Sequence, residues 1–168
     1  MQLKKINKER YAKHYKQIMI GIVIVLMVIA LSVSTILIQL VGNADGSNFW
    51  LNLAGVVVGG IVIVSLLRRN RDHEFMYEVI YVWDLKQMLN RIYRKQKKVK
   101  ASIETGDRDA MVIMNWSYNG SEQLYNLDNN TITMEDLHKS MRELQKVIDE
   151  HGFSISTDDF KPEMLDKY

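Results

Sequence analysis

Ile18–Val41 is a run of 24 residues without a charge, and no other feature restricts the possible folds so strongly. A helix over this run is about 36 Å long, enough to cross a hydrocarbon core of ~30 Å with some tilt. A second uncharged run, Phe49–Leu67, has 19 residues, with Asn52 and Ser65 as its polar side chains. At about 28 Å it fits a near-perpendicular span. Gly42–Asn48 (GNADGSN) lies between them and is rich in turn formers. Seven residues are too few to return across a bilayer, so the two helices are predicted to be antiparallel neighbours in a hairpin. The rival is a cleaved signal peptide followed by a core helix. A signal peptide's apolar region is about 7–15 residues long and ends in a small-x-small site. Here the run is longer, and Leu40-Val41-Gly42-Asn43-Ala44 offers no such site.

Charge sets the orientation. Residues 1–100 hold 16 Lys/Arg and 6 Asp/Glu, whereas residues 101–168 hold 6 and 14, so a net charge of +2 conceals halves of opposite sign. Lys4, Lys5, Lys8, Arg10, Lys13 and Lys16 precede the first run, and Arg68, Arg69 and Arg71 follow the second. The connection carries only Asp45. The positive-inside rule then predicts that both termini are cytoplasmic. Phe49 and Trp50 mark the outer interface, and Tyr11 and Tyr15 suit the inner one. Neither run contains an ionisable residue or a break, so a channel or transporter formed by this chain alone is not expected.

Gly55-Val56-Val57-Val58-Gly59 is a G-x-x-x-G pattern, which lets helix backbones approach closely in lipid. Homodimerisation is one reading. Packing within the hairpin is preferred, with Gly55 opposite Thr35 and Gly59 beside Leu31 and Ser32.

From Asp72 the pattern becomes that of amphipathic helices. Phe75, Val82, Leu85, Leu89, Ile92, Val99 and Ile103 recur at three- and four-residue spacing, with Glu78 and Gln96 as polar exceptions. This first helix is expected to reach Thr105 before Gly106 stops it. Absence of Gly and Pro favours continuity with the second run; Arg68 and Arg69 before Asp72 and Glu74 favour a stop. A second helix is expected from Asp107 or Asp109 to Leu127, with Ile113, Ser117, Gly120, Leu124 and Leu127 on one face. Val112, Met114, Trp116 and Tyr118 alternate as in a strand, but no partner strand is visible. Thr133 and Asp136 resemble a capping box opening a third helix, with Leu137, Met141, Leu144 and Ile148 as its stripe and Gly152 as its end. The predicted fold is an all-α membrane protein: a basic N-terminus (1–17), a transmembrane hairpin (18–67, spans 18–41 and 49–67), a cytosolic antiparallel three-helix bundle (72–152) and an irregular tail (153–168).

No motif calls for catalysis, a metal or a cofactor. His14, His73, His138 and His151 are scattered without the i, i+4 spacing of a helical metal site. Cysteine is absent, which excludes disulfides and thiolate chemistry. There is no P-loop, G-x-S-x-G or G-x-G-x-x-G. Asn115-Trp116-Ser117, Asn119-Gly120-Ser121 and Asn129-Asn130-Thr131 match a glycosylation pattern that the expected cytosolic side makes irrelevant.

Two surfaces remain. Arg91–Lys100 (RIYRKQKKVK) carries Arg91, Arg94, Lys95, Lys97, Lys98 and Lys100. Such a run either contacts anionic lipid or nucleic acid, or is a solvated helix face balanced by the acidic helices that follow. The second is Phe75–Trp83 (FMYEVIYVW), in which Phe75, Met76, Val79, Ile80, Val82 and Trp83 form the most apolar stretch outside the spans. The two shorter helices folding back from Gly106 would leave it bare. Its cover would be the bilayer interface, the tail through Phe153, Ile155 and Phe160, or a second protein chain. The second chain is preferred, as a partner or a homodimer.

Arg71-Asp72-His73, Tyr81-Val82-Trp83-Asp84-Leu85-Lys86, Leu89-Asn90-Arg91-Ile92-Tyr93-Arg94, Gly106-Asp107-Arg108-Asp109-Ala110, Gln123-Leu124-Tyr125 and Leu127-Asp128 form a further set. With the hairpin, they resemble a family of small bacterial inner-membrane proteins of unknown function. The resemblance extends to about Leu144 and implies the bacterial inner membrane. It assigns no catalytic or binding residue. The expected function is a non-enzymatic, membrane-anchored interaction or scaffold module. The alternative is peripheral contact with anionic lipid or nucleic acid through the basic helix, nucleic acid being the less favoured partner.

Overall fold

The two uncharged runs lie in α1 (Lys8–Val41) and α2 (Phe49–Arg69) of a computed structural model that describes residues 1–43, 46–130 and 132–168. Ala44 and Asp45 of the connection, and Thr131 of the third glycosylation pattern, lie outside the described residues. The remaining helices are α3 (Tyr77–Glu104), α4 (Arg108–Leu127) and α5 (Met134–Glu150). Short 3₁₀ turns occupy Glu74–Met76, Thr157–Asp159 and Pro162–Lys167, and every element among the described residues is helical, as predicted. The chain divides into a hairpin unit, Glu9–Ile80, and a helical unit made of Met1–Lys8 with Tyr81–Tyr168.

In the hairpin unit α1 begins at Lys8, ahead of the uncharged run, so much of the segment predicted as a separate basic N-terminus is helical. Lys, Arg, Glu, Ala and Gln are good helix formers, and neither Gly nor Pro interrupts them before Gly21. Gly55 and Gly59 form the seam with α1. A Cβ at Gly55 would lie 2.5 Å from the Ala30 carbonyl oxygen and 3.2 Å from Ser34 Cβ, and one at Gly59 would lie 2.9 Å from Leu26 Cδ1. Leu26, Ala30 and Ser34 succeed one another at i, i+4 and so share one face. The predicted partners Thr35 and Ser32 are instead exposed. The level of contact was predicted from the helix ends, but those ends do not set rotation. Thr35 stands about 100° round the helix from Ser34. Within the seam the Ser34 hydroxyl donates to Asn52 Oδ1, so two polar groups satisfy each other.

α2 stops rather than continuing into α3. Asn70 closes it, its Nδ2 donating to the Leu66 carbonyl at 2.8 Å. His73 is extended (φ −72, ψ 138) and its Nδ1 accepts the Phe75 N–H at 3.1 Å, capping the 3₁₀ turn. Arg68 and Arg69 sit in the last turn of α2 and Glu74 in the first turn beyond it, so each charge meets the favourable end of a helix dipole.

The helical unit is organised round α4. Asp107 caps it, its Oδ1 accepting the Asp109 N–H at 2.9 Å. Ala110–Met114 and Trp116 are all buried, so the strand-like alternation belongs to a helix enclosed on every side. Gly120 fits against α3: a Cβ there would lie 3.2 Å from Leu85 Cδ1 and 3.4 Å from Leu89 Cδ2. α5 packs on α4 through Leu137, Leu144 and Ile148. Thr133 is its N-cap, but no side-chain bond forms, so the expected capping box with Asp136 is absent. The Thr133 backbone (φ −98, ψ 3) lies outside the extended region that aims a cap hydroxyl at the N–H groups beyond.

The C-terminal segment departs from the irregular tail that was expected. It makes two 3₁₀ turns and buries Phe160 and Leu165, the latter at 0% exposure. The first turn has the capping box that α5 lacks, with Ser156 and Asp159 bonding reciprocally. The apolar side chains of this segment are too widely spaced to show a helical period, which is why the sequence pattern missed them.

Gly55→Ala should destabilise the hairpin by about 1–3 kcal/mol, because the new methyl meets backbone that cannot rotate away. Gly60→Ala, whose Cβ would meet nothing within 4 Å, should be neutral or gain up to about 1 kcal/mol of helix propensity. Thermal unfolding of both variants in detergent distinguishes them; equal midpoints would remove the close contact at Gly55.

Candidate functional site

Glu78 is the lone charge in Phe75–Trp83, and it is 4% exposed. A carboxylate this deep must be paired to stay ionised. In the hairpin unit Arg10 Nε lies 2.9 Å from Oε1 and His14 Nδ1 lies 3.2 Å from Oε2. Arg10 also reaches Glu74 at 3.0 Å, and the His14 ring packs 4.2 Å from the ring of Phe75. The hydrogen bond with Glu74, and then the charge of Glu78, raise the Arg10 pKa. The first turns of α1 therefore cover this part of the stretch, a cover absent from the three foreseen. Met76 is buried, and Phe75, Val79 and Ile80 are half-buried.

Tyr81, Val82 and Trp83 belong to the helical unit. Tyr81 and Val82 are buried; Trp83 is 60% exposed. The N-terminal strap, Met1–Lys8, is responsible for part of this burial. The Lys4 N–H donates to the Tyr81 hydroxyl at 2.9 Å, and that hydroxyl donates to Gln123 Oε1 at 2.8 Å. Gln123 Nε2 returns to the Lys4 carbonyl, and Trp116 Nε1 donates to the Met1 carbonyl at 3.0 Å. The expected bare interface for a second chain is thus corrected. Of its six residues only Trp83 remains exposed, because the chain's own first residues fold over the others' neighbours. The sequence signals were Glu78, a charge with no visible partner, and the apolar Met1, Leu3 and Ile6 among the N-terminal lysines.

The basic run separates into two faces. Arg91, Lys95 and Lys98, at i, i+4 and i+7, face the C-terminal segment. Arg91 pairs with Asp166 at 2.8 Å, Lys95 donates to the Leu165 carbonyl at 2.6 Å, and Lys98 donates to the main-chain oxygen of Tyr168 at 2.9 Å. Arg94, Lys97 and Lys100 are exposed. Half of the apparent patch therefore holds the tail.

A second clasp holds that tail at Asp107. Lys167 Nζ lies 2.7 Å from Asp107 Oδ2, and the Tyr168 hydroxyl donates to the same oxygen at 3.0 Å. Arg108 pairs with Asp159 at 3.0 Å, and Phe160 stacks on Trp116 at 4.5 Å. Burial pushes the Asp107 carboxyl up, but the bonds from Lys167, Tyr168 and the Asp109 N–H together hold it below its ordinary 3.8. Hydrogen bonding to Asp107 raises Lys167 above its ordinary 10.5. Burial, then the bond to Asp107, raises the Tyr168 phenol.

These directions bound the clasp in pH. The Asp107 contribution is complete above its ordinary 3.8 and is lost as pH falls through the lower folded value. The Lys167 contribution is complete below 10.5 and is lost as pH rises through the higher folded value. Protection of the amides over residues 157–168, taken relative to their intrinsic exchange rate at each pH, should be high between these limits and fall outside them. Asp107→Asn should show accelerated exchange already at neutral pH; slow exchange in that variant would mean that Phe160 and Leu165 hold the tail unaided.

No curated protein and no solved structure matches the chain. One family model does, over residues 1–165, which takes in the strap, both apolar helices and nearly all of the tail. The chain belongs to the family that this model describes, Protein of unknown function (DUF3087).

Proposed function

We propose that this chain is a non-enzymatic, membrane-anchored interaction module: α1 and α2 cross the bilayer as a hairpin, and the helical unit engages a protein partner. The supporting observation is the exposure of the apolar helices. Of the 34 residues of α1 and 21 of α2, only Tyr11, Ser34, Gly55 and Gly59 are buried. Leu31 is 63% exposed, Leu40 74% and Trp50 75%. A soluble protein's core helix would be mostly covered, and a signal sequence would not pair through two glycines with a second apolar helix. Each large apolar side chain left in water forgoes about 1.5–3 kcal/mol. Along two whole helices, lipid is the solvent that removes this cost.

The basic flanks at Lys8–Lys16 and Arg68–Arg71 put both ends of the hairpin on the cytoplasmic side, in the reading proposed here. The resemblance to small inner-membrane proteins makes that membrane the bacterial inner one. On the helical unit, exposed Trp83, Tyr93 and Arg94 stand on α3, and Trp, Tyr and Arg are residue types enriched where proteins meet; Lys97 and Lys100 are exposed on the same helix. The same three cations favour, as a second reading, contact with an anionic lipid surface.

Reporter fusions at Gly46 and after Tyr168 should report opposite sides of the membrane, with the C-terminal fusion cytoplasmic. An alkaline wash should leave the chain in the membrane fraction. A periplasmic C-terminus or release by the wash would overturn the anchor, and the interaction module with it.

A further inference from the structure

The hairpin unit has a cleft of about 350 Å³ at the end where the basic flanks lie, lined by Ile18, Gly21, Val25, Ile63, Leu66 and Leu67 and reaching Asn70 and His73. Gly21 lies at the level of the last turns of α2, as Gly55 and Gly59 lie at that of Ala30 and Leu26. Those two glycines bring the helices into contact, yet a Cβ at Gly21 would meet nothing within 4 Å. The missing side chain here leaves room instead of allowing closure. From Ile18 to Val25 the cleft runs about 10 Å along α1, roughly the upper two-thirds of one leaflet's hydrocarbon.

Its mouth is polar and positive. Residues 8–17 and 68–78 carry seven Lys/Arg and four Asp/Glu. Two of the acids, Glu74 and Glu78, are already held by Arg10 and His14. Lys13, Lys16, Arg68 and Arg69 are exposed. His73 Nδ1 accepts the Phe75 N–H, so a neutral ring carries its proton on Nε2 and offers a donor. Asp72, exposed beside it, and Glu9, exposed in the first turn of α1, are the two carboxylates that oppose an anion.

We infer that this cleft is a binding site for one anionic phospholipid, its acyl chain beside Gly21 and its phosphate held by His73, Arg68 and Arg69. The inference rests on the membrane reading above. Lipid tails are as apolar as leucine, so seating a tail gains little over leaving it in the bilayer. The selectivity therefore comes from the headgroup, and Gly21 acts by admitting the tail.

The test uses the full chain, purified in detergent and stripped of lipid, with phosphatidylglycerol or phosphatidylcholine added back and retained lipid read by native mass spectrometry. One phosphatidylglycerol should remain bound, in preference to phosphatidylcholine. Gly21→Leu should lose it, whereas Gly60→Leu, the same change at an open position away from the cleft, should keep it. Arg68→Gln and Arg69→Gln should each lower the preference by about fivefold. Equal retention of the two lipids, or equal behaviour of the two leucine variants, would mean ordinary boundary lipid and overturn the site. Should Gly21→Leu not fold, the arginine variants decide, since they leave the cleft open: an unchanged preference overturns the proposal. Alkaline washing of the unaltered chain separates the two failures. A chain that stays in the membrane but retains no phosphatidylglycerol loses only the site; a chain that is washed out loses the anchor as well.

Discussion

Ala110–Met114 and Trp116 leave the first half of α4 without a polar face, so it must be covered from every direction. Two neighbouring helices cannot enclose a third. α5 covers one side and α3 another, through Leu85 and Leu89 against Gly120. The remaining sides fall to the two ends of the sequence. The strap accepts the Trp116 N–H at Met1, and the tail lays Phe160 on the Trp116 ring. Without them the indole would be a large apolar surface left in water; with them it is buried, and its donor keeps a partner in the Met1 carbonyl. The strap and the tail are thus parts of the core, despite their lack of regular helix.

Contact in the hairpin unit is governed by backbone rather than side chains. In the membrane reading proposed above, neighbouring apolar helices gain nothing from hiding surface that lipid already covers. What remains is close packing, and the Gly55 approach to the Ala30 carbonyl supplies it. The Ser34–Asn52 bond adds orientation at the same level, the buried Ser34 hydroxyl reaching Asn52 at the open edge of the seam. Van der Waals contact falls off within an ångström, so a short seam fixes the pair firmly there and leaves the far end free to part around Gly21.

Helix number, the C-terminal ends of the helices and the hairpin could be read from the sequence because each depends on a local pattern: an uncharged run, a three-to-four spacing, a glycine after the last apolar residue. Asp107 as a cap could be read for the same reason; the starts of α1 and α3 could not. The rotation of α1 against α2 could not, because Ser34 and Thr35 differ only in where they point. Nor could the covers of Phe75–Trp83. Glu78 needed a partner, but Arg10 is 68 positions earlier in the chain and nothing local joins them. The tail failed to show itself for a further reason: Phe160 and Leu165 act as single anchors, and a single anchor has no period.

The opposite charges of the two halves of the chain find their meaning in these long-range pairs. Lys86 meets Asp128 and Arg91 meets Asp166 across the two halves, and within the second half Asp107 meets Lys167, each across a large gap in sequence. Exposed pairs of this kind contribute little stability, about 0–1 kcal/mol apiece. Their effect is to choose among arrangements that apolar packing alone would allow. A tail anchored by two apolar side chains could slide along α3 and α4; one that must also set Asp166 against Arg91 and Lys167 against Asp107 cannot. Asp166 therefore orients the tail on the basic helix, and of the six cations of that run Arg94, Lys97 and Lys100 are the exposed ones that do not hold the tail.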